Sequence, residues 1–144
     1  MAKEQVVGTW KLVGTEFRDE KGELYYPYGK ELVGQLIYES NGYMSVHFVS
    51  TTRPRFKSHD HHGGTTEEIR NAYDGYIGYF GTYALDEVKG TIIHYVTGSL
   101  FPDMMGGKMP RFYKIEGNRL TLTTPPTVTA SVKLVGVLVW EKIS

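Results

Sequence analysis

YIGYFGTYALDEVKGTIIHYVTGSLFPD, residues Tyr76 to Asp103, decides how the rest of the chain must be read. Side chains alternate across a strand. Ile77, Tyr79, Gly81, Tyr83 and Leu85 therefore share one face of the first half, and Ile92, His94 and Val96 share one face of the second. Asp86-Glu87-Val88-Lys89-Gly90 supplies a turn between them, and the stretch reads as an antiparallel hairpin. If both faces look the same way, two phenols and one imidazole project into whatever the sheet encloses. A plain apolar core has no use for such groups, because a buried polar group costs free energy unless it is hydrogen-bonded. Two readings stand: tyrosines threaded through a barrel wall beside a histidine satisfied by a neighbour, or a polar cluster facing a ligand.

Upstream, Gly34 to Ser40 and Tyr43 to Ser50 flank Asn41-Gly42, a pair that favours a two-residue type I′ hairpin turn. Met44, Val46 and Phe48 form the apolar face of that hairpin, while His47 has the parity of Tyr43 and Ser45 and belongs outside. Gly8 to Arg18 is a first strand, with Trp10, Leu12, Gly14 and Glu16 on one side and Asp19-Glu20-Lys21-Gly22 as its stop. Leu24 to Lys30 (LYYPYGK) suits a strand end and a loop crossing the mouth of the sheet, since it holds proline and glycine among three tyrosines. Thr51 to Gly64 breaks the pattern, and Thr66 to Tyr73 is a helix whose start, Thr65 with Glu68, fits a capping box.

Downstream, Phe101 to Pro110 is an irregular link with three methionines and a phenylalanine, a candidate surface for a partner or a second copy in a homo-oligomer. Arg111 to Ile115, Gly117-Asn118 and Leu120 to Thr124 form another hairpin, and Lys133 to Ile143 supplies a closing strand with Trp140. The fold expected is all-β: about eight strands in an antiparallel up-and-down meander with one short helix. Glycines at 14, 34, 78, 81, 98 and 136 favour closure into a barrel over a sandwich, because tight coiling uses glycine. A barrel of that size holds one small ligand.

Composition narrows the function. The 144 residues make a single domain, 1–144, of net charge zero and pI near 7.0, with no sustained basic face for nucleic acid. There is no cysteine, hence no disulfide, thiolate metal site or cysteine nucleophile. No apolar run has the length of a membrane span, and MAKEQVVGTW lacks the features of a secretion signal, so a cytoplasmic protein is expected. No nucleophile elbow, phosphate loop, dinucleotide glycine pattern or zinc-protease motif occurs, and no cofactor is expected. His59, His61 and His62 flank Asp60 in a glycine-bounded loop without a rigid scaffold, and no metal site is assigned to them.

Arg111 shares a strand face with Tyr113 and Ile115, and if inward its guanidinium must find a partner or a ligand. Glu16, by the parity of Trp10 and Leu12, would face inward as that partner or as an acid or base; a solvent-facing glutamate is the alternative. The candidate ligand-binding set is Met44, Phe48, Tyr79, Tyr83, His94, Arg111 and Tyr113, and the candidate catalytic set is Glu16, Tyr83, His94 and Arg111.

Gly8-Thr9-Trp10 resembles the Gly-x-Trp signature of lipocalins, and the chain as a whole resembles the bacterial and fungal lipocalin-like domain family. GTWKLV at 8–13, GQLIYESNGYMSV at 34–46, Arg53-Pro54, YFGTY at 79–83, the His94 strand with SLFP at 99–102, RFYKIEGNRLTLTTPP at 111–126 and LVWEK at 138–142 carry the likeness. It implies a small barrel with a ligand cavity, Trp10 and Trp140 as structural plugs, and for Arg111 the alternative of stacking on Trp10. Binding of a largely apolar, oxygenated aromatic or polyketide-like molecule is the leading expectation. A cofactor-free cyclase or isomerase of secondary metabolism using the same cavity is the second, and a partner-binding or oligomerisation module the third.

Overall fold

The computed structural model describes residues 2–144. In chain order it contains helix α1 (Ala2–Val6), strands β1 (Gly8–Arg18), β2 (Leu24–Tyr25), β3 (Leu32–Tyr38) and β4 (Tyr43–Ser50), helix α2 (Thr66–Asp74), then β5 (Tyr76–Asp86) and β6 (Thr91–Ser99). A 3-10 turn (Pro102–Met104) leads into β7 (Lys108–Glu116), β8 (Arg119–Thr123), β9 (Thr127–Thr129) and β10 (Val132–Lys142). Neighbouring strands run antiparallel in the order β2-β1-β3-β4-β5-β6-β7-β8-β10-β9, and β1 pairs with β10. That pairing closes eight strands into an up-and-down barrel, with β2 and β9 as additional short strands, and so removes the open edges that an antiparallel sheet would otherwise expose.

One end of the barrel is plugged. There α1 lies beneath Trp10, whose indole N–H donates to the carbonyl of Val6 at 2.8 Å. The N–H of Lys142 donates to Asn118 and that of Tyr83 to Gly42, which ties the β7–β8 and β3–β4 turns to their neighbouring strands on this side. Trp10, Trp140, Leu36, Leu120 and Val6 are wholly buried. The ammonium of Lys142 sits 5.1 Å from the centroid of the Trp10 ring. Lys142, not Arg111, is thus the cation over Trp10: Trp10 pairs with Lys142 across β1 and β10, whereas Arg111 pairs with Ile92 on β6. The other end is open, with α2, the 3-10 turn and the β9–β10 hairpin around its rim.

Local chemistry departs from sequence expectation in four places. The β3–β4 connection is a turn from Glu39 to Gly42, closed by the Gly42 N–H on the Glu39 carbonyl at 3.1 Å. Gly42 takes φ of 92° while Asn41 keeps a negative φ, so this is a three-residue loop ending in a left-handed glycine, not a two-residue type I′ turn. Ala130 and Ser131, between the paired Thr129 and Val132, are the two consecutive residues with positive φ that a type I′ turn demands. Strand β7 starts at Lys108, within the segment expected to be irregular. Pro110 is tolerated because β8 pairs with β7 only from Phe112 onward, leaving no ladder partner for the missing N–H. Finally, α1 joins α2, which has the expected capping box: Glu68 N–H to Thr65 Oγ1 at 3.2 Å, and Thr65 N–H to Glu68 Oε1 at 2.9 Å. Among the described residues no helix is long and apolar enough to cross a membrane.

The largest correction comes from a bulge in β1. Leu12 pairs with Trp140 and Gly14 with Val139, so Val13 is an extra residue and the facing parity inverts after it. Leu12 and Phe17 both point inward as a result. Glu16 is thereby turned outside, where its carboxylate pairs with Arg18 at 3.0 Å and both side chains remain solvated. It is neither the partner of Arg111 nor a cavity acid.

Candidate functional site

The open half of the barrel contains a cavity of about 490 Å³, within the ~300–1,000 Å³ usual for small-molecule sites. Phe17, Val46, Phe48, Ile77, Leu122, Leu134 and Leu138 build its apolar wall, and Trp140 lines it toward the plugged end. At the rim stand Tyr28, Tyr73, Leu100, Phe101, Met104 and Thr127 to Ala130. Phe101, Met104 and Met109 come from the segment considered as a partner surface, and here they line the cavity. Edge-to-face contacts of Tyr28 with Phe17 (5.7 Å) and Phe48 (5.4 Å) fix one side of the entrance.

The hairpin β5–β6 pairs Tyr83 with His94 and Tyr79 with Ser99, after a bulge between Phe80 and Gly81. Tyr79, Tyr83 and His94 share the inner face and are buried. Tyr79 Oη lies 2.7 Å from Nδ1 of His94, and Tyr38 Oη lies 2.6 Å from Nε2. Both nitrogens of the imidazole are therefore taken by phenols, one from β3 and one from β5. Tyr83 takes no part in this chain: its hydroxyl donates to the Glu39 carbonyl at 2.7 Å, and its ring packs on Tyr38 with centroids 4.7 Å apart.

Burial dominates the electrostatics. Desolvation, with the Arg111 charge adding to it, lowers the His94 pKa to about 3 and keeps the ring neutral. Desolvation likewise raises the phenol of Tyr79, and Arg111 opposes that rise; Tyr38 is pushed well up, first by burial and then by Tyr79. Arg111 lines the cavity and donates from Nη1 to the Pro110 carbonyl at 3.0 Å. No carboxylate among the described residues lies within 4.0 Å of its guanidinium. The other charged residues of the wall, Arg70 and Asp74, neutralise each other at 3.3 Å on α2.

Of the residues singled out from sequence, Phe48, Tyr79, His94 and Arg111 line this cavity. Met44 and Tyr83 lie in the packed core instead, Tyr113 packs against that core near the β5–β6 turn, and Glu16 is outside. His47 is on the outer face, held by Tyr76 (2.8 Å) and Ser45 (3.2 Å). His59, His61 and His62 are exposed, with the latter two rings stacked at 5.0 Å. Tyr38 is the residue that sequence reading passed over. It has the parity of Leu36 and pairs with Met44, so the apolar face of the β3–β4 hairpin already pointed to it.

Residues 7–143 match the family described as the lipocalin-like domain. A 4'-hydroxy-3'-methoxypropiophenone carrier protein of Aspergillus oryzae is 27% identical over 107 residues, which span 69% of this chain and 96% of that protein. The family match runs through every strand of the barrel, and the chain belongs to the lipocalin-like domain family.

Proposed function

We propose that this protein is a carrier that holds a small, largely apolar, oxygenated aromatic molecule in its barrel. The observation that carries this reading is the open cavity of about 490 Å³, walled by aromatic and aliphatic side chains with a few polar groups on it. The likeness to a protein named as a carrier of a phenolic ketone supports the same class of ligand. The test is titration with 4'-hydroxy-3'-methoxypropiophenone, followed by calorimetry and by tryptophan fluorescence, since Trp140 lines the cavity and Trp10 does not. Saturable one-to-one binding with quenching is expected. Quenching that grows linearly with added ketone and never saturates sinks the carrier reading.

A second reading is a cofactor-free proton-transfer enzyme, favoured by the chain of hydrogen bonds from Tyr38 through His94 to Tyr79 at the cavity wall. Against it, an imidazole held at a pKa of about 3 is a weak base with both nitrogens occupied. Deuterium exchange at the carbon next to the ketone separates the two. A carrier leaves the exchange rate at its solution value, whereas an enzyme accelerates it and loses about 10²–10⁴ of that acceleration in His94→Gln.

A further inference from the structure

Three groups on the cavity wall have hydrogen-bond donors to spare. Arg111 uses one N–H on Pro110 and faces no carboxylate among the described residues. The indole N–H of Trp140 is buried without an acceptor among the described residues. The third donor follows from counting protons around His94. A neutral imidazole has one N–H and one bare nitrogen, so its two phenol neighbours cannot both donate to it. If Tyr79 donated to Nδ1, Nε2–H would donate to Tyr38, whose own O–H would then need another acceptor. Tyr38 is 1% exposed, does not line the cavity, and has His94 as its hydrogen-bond partner. That arrangement strands a buried donor, at a cost of about 1–3 kcal/mol. In the opposite arrangement Tyr38 donates to Nε2, Nδ1–H donates to the Tyr79 oxygen, and the spare O–H belongs to Tyr79, which does line the cavity. Burial supports this by keeping the ring neutral.

We infer that His94 is locked with its proton on Nδ1, and that Tyr79 O–H together with Arg111 grips a carbonyl oxygen of the ligand, which enters carbonyl-first. His94 is then a positioning residue, and Tyr79 and Arg111 select against ligands without an acceptor at that end. The remaining, more apolar body of the ligand lies toward Phe48 on the wall and Tyr28 at the rim, which pack edge to face. This rests on the carrier reading and specifies its chemistry.

Two measurements test it. Nitrogen-15 spectra of the wild-type protein report which ring nitrogen of His94 carries the proton; Nδ1–H is expected, and Nε2–H overturns the inference irrespective of any ligand. Binding of 4'-hydroxy-3'-methoxypropiophenone is then compared with binding of the same molecule reduced from carbonyl to methylene. Tyr79→Phe and Arg111→Met should each weaken the ketone about ten- to hundredfold while moving the methylene analogue less than about twofold. In the wild type the carbonyl stretch of the bound ketone should fall below its value in an apolar solvent, and return toward it in both variants. Equal losses for both compounds, or a stretch unchanged on binding, overturn the carbonyl grip and leave the carrier reading standing. Failure of both compounds to bind the wild type sinks the two together.

Discussion

Tyr38 Oη and His94 Nε2 are 2.6 Å apart, and both groups are sealed from water. Two strands that are not neighbours, β3 and β6, are thereby joined across the barrel interior by one hydrogen bond. Tyr38→Phe leaves the imidazole nitrogen without a donor and should cost about 1–3 kcal/mol in urea melts. Tyr25→Phe, which removes a more exposed hydroxyl 3.2 Å from Asp19, should cost less than Tyr38→Phe. Equal stability for Tyr38→Phe and wild type would show that the bond is not formed in solution.

The folded-state pKa of His94 lies near 3, below the 6.5 of an unperturbed histidine. Between these values the unfolded chain binds a proton that the folded chain does not. Stability must therefore rise with pH through this window, level off above about 6.5, and be lost as pH falls toward 3. His94→Gln keeps a donor and an acceptor and abolishes the titration, so other ionisable groups cancel when the two proteins are compared. The gap between their stability curves should shift in favour of wild type as pH rises from about 3.5 to 6, and parallel curves would contradict a neutral buried imidazole.

Trp10 closes the barrel with no exposed surface, an N–H on Val6 and a cation on its face. Trp10→Ala should remove about 3–5 kcal/mol, the range for truncating a large buried aromatic. Lys142→Met should remove only about 0.5–1 kcal/mol, because a partly solvated cation over a ring contributes little. A Trp10→Ala loss under 1 kcal/mol by denaturant melts would mean that the plug is not where the stability resides.

Gly81 sits at the β5–β6 bulge, where a methyl group would collide with the Tyr95 carbonyl oxygen and come 3.0 Å from the Thr97 nitrogen. These are backbone atoms of β6, which cannot yield without opening the hairpin that carries Tyr79, Tyr83 and His94. Gly81→Ala should cost about 1–3 kcal/mol or prevent folding. Gly14, at the other bulge, has open space around the same position, and Gly14→Ala should stay within about 1 kcal/mol of wild type. Thermal melts that rank the two variants the other way would contradict the β5–β6 register.

The barrel, most of its strand spans and the shared inner face of Tyr79, Tyr83 and His94 were legible in the chain itself, because alternation along a strand and the chemistry of hairpin ends are local properties; the start of β7 and the short β9 were not. Locality also marks where that reading stopped. Glu16 was misplaced by one extra residue at Val13, and a bulge leaves no reliable composition signal while inverting every facing residue beyond it. Asn41-Gly42 carried the strongest turn signal, yet both residues of the type I′ turn proved to be non-glycines, Ala130 and Ser131, held in place by pairing of β9 with β10. The cation over Trp10 is set by the β1–β10 closure, a contact between the two ends of the chain. Sequence periodicity determined which side chains could face the interior. Only closure of the barrel decided which of them meet: it brought Tyr38 to His94, left Arg111 without a carboxylate among the described residues, and put Met44 and Tyr83 in the packed core while Tyr79 lines the cavity. Those pairings join residues far apart in the chain, and their geometry depends on register and stagger around the whole barrel, which no single segment encodes.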